Sequence, residues 1–316
     1  MGPGDRVSAM IFFILTALFL LFEIRVAIGL FVKKPGLHGG NWLQKKWVRI
    51  AAAIAAILAL TAAIDAFFIE PDWVVRENLT VTSPRVKKAV RIVHISDLHT
   101  EGFGKRHEKA LRIVGEAKPD IIILTGDYLN GSRMKYLPEL QKFVSRLEAP
   151  LGIYAVEGNF EYGQCPFEMF ENVGIKVLED EHVSFEEYGI TLCGLSCNWN
   201  LQEAQRRILQ EAATGRPEDY LVVLCHYPNH IEEPEMVNTD LYLCGHTHGG
   251  QVRLPLWGAI VTLSKTGKKY ECGSYEHGRT RIYVNRGLGM EGGSVPRTRF
   301  LCRPEVTVID ILPQDL

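Results

Sequence analysis

Two patterns of apolar residues divide the chain. Near the N-terminus the runs are long: Met10 to Phe22 is apolar apart from Thr16 and resumes, after Glu23 and Arg25, as Val26 to Val32. Ile50 to Ile69 is a second run of about twenty residues with Asp65 as its one charge. At ~1.5 Å per helical residue, about twenty residues cover the ~30 Å hydrocarbon core of a bilayer. Each run therefore predicts a membrane-crossing helix, the first weakened by Glu23 and Arg25; the competing reading is a buried core helix. Lys33-Lys34-Pro35 follows the first run where a cleaved signal peptide needs small residues.

Beyond residue 70 the runs are short and alternate with helix-length patterns. Strands are expected at Val90–Ile95, Ile121–Leu124, Ile153–Val156, Ile190–Leu195, Tyr220–Leu224, Leu241–Leu243, Arg281–Val284 and Glu305–Ile309. Helices are expected around 105–117, 134–148, 164–173 and 201–213. In the first of these, Ala110, Leu111, Val114 and Ala117 form a stripe at helical spacing opposite Lys105, Glu108 and Arg112. Strands alternating with helices imply βαβ units and a largely parallel inner sheet, and the closely spaced later strands imply an antiparallel part. The expected organisation is a membrane anchor of two helices over 1–70, an extended linker over 71–84, and one α/β domain over 85–316.

Composition and charge narrow the class. With 47% hydrophobic and 23% charged residues the chain is not disordered. A net charge of -2 and a pI of about 6.6 lack the signature of a nucleic-acid binder, and no nucleic-acid partner is expected. Lys33, Lys34, Lys45, Lys46 and Arg49 lie between the apolar runs, whereas Glu70, Asp72, Arg76 and Glu77 follow the second. The positive-inside rule then puts the short connection in the cytoplasm and the C-terminal domain outside it. The seven cysteines, at 165, 193, 197, 225, 244, 272 and 302, pull the other way, because an exported domain normally pairs them. Cys193 and Cys197 have no second pair at zinc-site spacing and read as core thiols.

The candidate chemistry follows the strands. Ser96-Asp97-Leu98-His99 comes after the first, Thr125-Gly126-Asp127-Tyr128 after the second, and Glu157-Gly158-Asn159-Phe160-Glu161 after the third. His226-Tyr227-Pro228 and Gly245-His246-Thr247-His248-Gly249-Gly250 follow two later ones. Loops at the carboxyl ends of α/β strands converge on one crevice. Two Asp, one Asn and four His delivered there make a donor set suited to Mn, Fe or Zn. On extended backbone, Asp97 with His99 and His246 with His248 would project to one side. Glycines 126, 158 and 245 are expected to permit sharp turns at the strand exits. Singly these residues read as capping, turn or core residues; together, each directly after an apolar strand, they form a constellation.

This order resembles the calcineurin-like metallophosphoesterases, whose pattern is D-x-H, G-D-x-x-D, G-N-H-D/E, H and G-H-x-H, over roughly residues 85–312. Ile69-Glu70-Pro71, Gly245 to Gln251, Arg286-Gly287-Leu288-Gly289 and Arg303-Pro304-Glu305 match its membrane-anchored bacterial branch. The resemblance implies a β-sandwich flanked by helices and a dinuclear centre of two divalent ions that activates water for attack on phosphorus. Carried over by position, Asp97, His99 and His248 would hold one ion. Asn159, His226 and His246 would hold the other, with Asp127 bridging; Asp127, Asn159 and His226 are also the expected catalytic residues. Asn130 replaces a supporting Asp, and Phe160 replaces the family histidine expected to protonate the leaving group. General-acid catalysis is worth about 10²–10⁴-fold, so Phe160 disfavours alkoxide leaving groups and favours pyrophosphates. Superfamily members that cleave UDP-2,3-diacylglucosamine also lack that histidine, and a membrane anchor fits such a lipid-linked substrate. The alternative is a non-catalytic, metal-stabilised binding or sensing module at the membrane; seven intact ligand positions favour an enzyme.

Other features carry less. Gly287-Leu-Gly289-Met-Glu-Gly292 matches a dinucleotide motif, but no helix pattern follows it, and it reads as a loop bordering the crevice. Arg286, Arg297, Arg299 and Arg303 could bind phosphate or form a solvated basic face. Tyr128, Tyr162 and Tyr227 read as packing residues.

Overall fold

The computed structural model describes residues 46–314 except 133, 162–168, 171–172 and 292–296. The first apolar run, most of the expected helix at 164–173, Cys165 and Tyr162 lie outside the described residues.

The second apolar run forms the helix α1 (Lys46–Ile64), which continues through helical turns to Asp72. The 27 residues Lys46–Asp72 are long and apolar enough to cross a membrane. Its large side chains, among them Ile54, Ile57, Leu58 and Phe68, are exposed, so it is not a helix of the domain core.

Two six-stranded mixed sheets follow. The first has the order β1 (Val75–Ser83), β14 (Glu305–Pro313), β2 (Val90–Ile95), β3 (Ile121–Thr125), β4 (Ile153–Val156), β5 (Ile175–Val177). The second has the order β12 (Gly273–His277), β13 (Thr280–Val284), β9 (Leu241–Cys244), β8 (Tyr220–Leu224), β7 (Ile190–Gly194), β6 (Glu181–Phe185). Strands β2 to β5 are parallel, as are β7, β8, β9 and β13; β14 runs antiparallel to β2, and β6 and β12 are antiparallel edges. The segment expected as a linker is extended, but as β1, paired along nine residues with β14. Within β1 only Val81 and Ser83 are buried, so it lacks the apolar run by which an inner strand is recognised.

The sheets pack face to face. Ile92, Ile123 and Val156 of the first meet Leu192, Val222, Leu224 and Leu243 of the second in one core, each such side chain contributing about 1.5–3 kcal/mol by leaving water. The outer face of the first sheet is covered by α2 (Lys105–Ala117) and α3 (Leu137–Val144), through Ala110, Val114, Leu140 and Phe143. That of the second is covered by α4 (Glu203–Gly215), through Leu209 and Ala212. Helix α2 stops where Lys118 turns left-handed, φ 51°, ahead of Pro119. This is the sandwich flanked by helices that the resemblance implies. A small hairpin, β10 (Arg253–Leu254) with β11 (Gly258–Ala259), lies apart from both sheets. The six described cysteines are free thiols, with Cys193 and Cys197 buried as expected.

Candidate metal centre

Strands β2, β3, β4, β8 and β9 deliver their carboxyl ends to one place. The loops clasp each other through backbone and side chain: Asp97 N–H donates to Gly126 O (3.0 Å), His226 Nδ1 faces Thr125 O (2.8 Å), and His246 N–H donates to Asp97 Oδ2 (3.0 Å). The convergence does not come from extended backbone. Asp97, His99, Asp127, His246 and His248 all hold left-handed φ, between 38° and 69°. Asp and His tolerate that region better than most residues, and strain of this kind concentrates at functional sites. The glycines divide by role. Gly126, φ 87°, makes a turn as expected, whereas Gly158 and Gly245 are needed for space: a Cβ on Gly158 would overlap Asp127, and one on Gly245 would overlap Ser96 and Asp97.

Two groups of buried donors result, Asp97 with His99 and His248, and Asp127 with His226 and His246; within each group the ligand atoms lie within 4.8 Å of one another. Asp127 also reaches across: its Oδ2 is 3.3 Å from His226 Nε2 and 3.5 Å from His99 Nε2. Asn159 Oδ1 is 3.0 Å from His226 Nε2, which brings the seventh residue to the second group.

The hydrogen-bonding arithmetic fits a cation at each group. The His226 ring faces three oxygens, those of Thr125, Asn159 and Asp127, but a neutral imidazole has one N–H. His99 Nε2 and His248 Nε2 point at each other across 3.0 Å, while the Nδ1 atom of each ring is buried without a partner among the described residues. His246 directs Nε2 to Leu263 O at 3.3 Å, an outer contact of the kind that orients a ligating ring. Burial pushes His246 down to about 3 and His99 to about 4, so both are neutral and able to ligate at neutral pH. Burial works against protonation of His226, but the Asp127 charge overrides it and raises the ring to about 10. Asp127, despite its burial, is held below the usual carboxylate range by His226. Asp97 is pushed up to about 7 by burial, with repulsion from Asp127 adding to it. Divalent cations would relieve that repulsion and take the opposed lone pairs.

Sequence reasoning gave no role to Glu161, which is fully buried. Its carboxylate accepts from Asp127 N–H (2.9 Å), Tyr128 N–H (2.8 Å) and Gly158 N–H (2.9 Å), locking the β3 and β4 exits together. Burial and the Asp127 charge push it up to about 7. The Glu161→Gln variant has an amide NH₂ opposing one of those donors, so it is expected to lose about 1–3 kcal/mol of stability and to bind metal less completely. Thermal melts with metal analysis check this; unchanged values would show that the carboxylate is dispensable. Glu291, within the glycine-rich loop, was missed too: burial and the Asp127 charge raise it, which places it in the field of the centre.

The remaining singled-out residues serve the frame. Asn130 bonds Glu101. Arg297 pairs with the same Glu101 and donates to Met290 O, and Arg286 pairs with Glu77 and Glu305. Arg299 is fully buried, donating to the carbonyls of Arg286, Gly287, Gly289 and Cys302. Arg303 lies over the Trp73 ring. The Gly287–Gly289 loop borders the crevice as expected, with Gly289 N–H on Asp97 O. Tyr128 donates to Val156 O, and Tyr227 packs edge-on to His246 at 4.5 Å. Phe160 donates its N–H to Asp127 Oδ1 (3.0 Å) and sets its ring edge-on to His99, centroids 5.1 Å apart.

Residues 90–250, which carry all seven of these side chains, match the calcineurin-like phosphoesterase family model. Metallophosphoesterase YkuE of Bacillus subtilis (strain 168) is 30% identical over 262 residues, 77% of this chain and 87% of the relative. Phosphodiesterase YaeI of Escherichia coli (strain K12) is 29% identical over 277 residues, covering 84% and 98%. UDP-2,3-diacylglucosamine pyrophosphatase LpxG of Chlamydia muridarum (strain MoPn / Nigg) is 23% identical over 286 residues, covering 71% and 84%. The fold and the site define a metal-dependent hydrolase of phosphoester or pyrophosphate bonds. The chain belongs to the calcineurin-like phosphoesterase family.

Proposed function

We propose that the protein is a membrane-anchored pyrophosphohydrolase whose substrate is a nucleotide-linked glycolipid of the UDP-2,3-diacylglucosamine type. Asp97, His99 and His248 would hold one divalent ion, and Asn159, His226 and His246 the other, with Asp127 shared. Bound there, such ions supply Lewis acidity, polarising the phosphoryl group and lowering the pKa of water. The chain's own part is to hold the donors rigid. Thr125 O orients His226, Leu263 O orients His246, and Glu161 fixes Asp127.

The observation that carries the reading is Phe160. An aromatic hydrocarbon stands beside His99 where the family has an acid–base histidine, so it offers the leaving group no proton. A phosphate leaving group departs at neutral pH without one, whereas an alkoxide does not. The Chlamydia muridarum relative, a UDP-2,3-diacylglucosamine pyrophosphatase, and the apolar helix Lys46–Asp72 support a lipid-linked pyrophosphate.

The test is a panel with Mn²⁺: an alkyl-leaving diester, an aryl phosphoester and a nucleoside-diphosphate lipid. The expected order of kcat/KM puts the lipid first and the alkyl diester last. Alkyl-diester hydrolysis as fast as that of the lipid would defeat the proposal.

A further inference from the structure

A water-exposed leucine in left-handed backbone is disfavoured twice: its Cβ crowds the chain, and its side chain has no polar group to bond locally in return. Leu256, Leu263 and Leu301 are all in this state, with φ of 64°, 55° and 53° and relative exposures of 111%, 41% and 51%. The other eight non-glycine residues with positive φ among the described residues are all polar.

The three leucines are tied to one another and to the metal centre. Leu263 accepts from His246 through its carbonyl. Leu256 is at the tip of the β10–β11 hairpin, and the base of that hairpin leaves room only for glycine at Gly250, against Ala259. Phe300 bonds both Gln251 and Arg253, and the next residue, Leu301, donates its N–H to Glu70 Oε2 (2.8 Å). Glu70 lies in the apolar stretch Lys46–Asp72, and Arg299 N–H and Thr298 Oγ1 both reach Ala66 O in it. At ~3.3 Å per residue the hairpin tip is within about 10 Å of the Phe300 pairing. The same neighbourhood exposes Trp257 and Trp73, each with a cation over its ring, Lys268 and Arg303 respectively. Tryptophan with basic partners is the composition of a membrane interface.

We propose that Leu256, Trp257, Leu263 and Leu301 form a membrane-seating rim that enters the interfacial layer of the bilayer crossed by α1. The rim holds the mouth of the metal centre against lipid, so a lipid-linked substrate reaches it without leaving the bilayer. This rests on the membrane-anchored reading above. Its occupant is lipid, because the rim is continuous with a helix long and apolar enough to span.

The test uses the full chain reconstituted in vesicles of phosphatidylethanolamine and phosphatidylglycerol. Spin labels are placed at Leu256→Cys and, as a control, at the exposed Arg207→Cys on α4, with the unmodified chain as background. The label at 256 should collide several-fold more with oxygen and several-fold less with a water-soluble nickel chelate than the label at 207. Equal water access at both positions overturns the proposal. Protection that needs added membrane proteins and is missing in pure lipid also overturns it, in favour of a protein partner. In parallel, Leu256→Asn with Trp257→Ser should lower kcat/KM about tenfold on vesicle-borne lipid pyrophosphate and leave a soluble aryl phosphodiester unchanged. Equal effects on both substrates would count against the rim. Should the unmodified chain cleave soluble but not lipid substrate, the substrate reading fails while label accessibility still decides the rim. Release of the full chain by alkaline extraction removes the anchor and the rim with it.

Discussion

Replacing Asp127 by Ala will remove both the bound metal and the turnover, lowering kcat/KM by on the order of 10³-fold or more. One carboxylate oxygen lies within 3.5 Å of a histidine from each donor group, so its loss takes an anion from both at once. Asp97 would remain as the one carboxylate among the seven side chains, against four imidazoles packed in a buried space. Asp127→Asn separates charge from folding. Asparagine tolerates the left-handed backbone at this position, φ 56°, so that variant should melt near the unmodified protein yet bind metal poorly. Elemental analysis of the purified proteins and steady-state kinetics with Mn²⁺ are the measurements. A variant that kept full metal content, or normal turnover, would show that Asp127 is not shared between two ions.

Changing Phe160 to His should act on one class of substrate and largely spare another. The ring already sits at 5.1 Å from His99, with its backbone N–H on Asp127 Oδ1, so a histidine enters a place defined by main chain. Turnover of alkyl-leaving phosphodiesters should rise by about 10²–10⁴-fold, equivalent to about 3–5 kcal/mol of barrier. Hydrolysis of a lipid pyrophosphate should change only modestly, since its leaving group needs little protonation. The comparison is kcat/KM for both proteins on both substrates. Fast alkyl-diester hydrolysis by the unmodified chain would mean that another group already donates the proton. Glu291, a half-buried carboxyl raised by burial and by the Asp127 charge, would then be the group to replace.

The inner strands were legible because burial on both faces writes itself as continuous apolar runs. Val90–Ile95, Ile153–Val156 and Tyr220–Leu224 have the bounds expected from sequence. The polar residues directly beyond each strand were legible too, because strand ends and the residues after them are neighbours in the chain. Edge elements were not. β1 reads as a linker because most of its residues are exposed or only half-buried, and its place in the sheet depends on β14, over two hundred residues away. The expected helix at 134–148 contracts to Leu137–Val144, preceded by a tighter turn at Met134–Tyr136.

Sequence by itself determined the α/β class, the apolar helix and the identities of the seven side chains that meet at the strand ends. Those follow from periodicity and from residue type, which are local properties. Only the tertiary structure decided how the seven converge. Extended alternation was the expectation for Asp97, His99, His246 and His248, yet all four sit in left-handed backbone. Such φ values are held by distant contacts, among them Gly126 O on Asp97 N–H and Asp127 O on His99 N–H. The buried Glu161 clamp and the satisfied Arg299 guanidinium were hidden for the same reason. A charged residue in a sequence looks solvated until the fold supplies its partners, and those partners come from segments the local pattern does not connect.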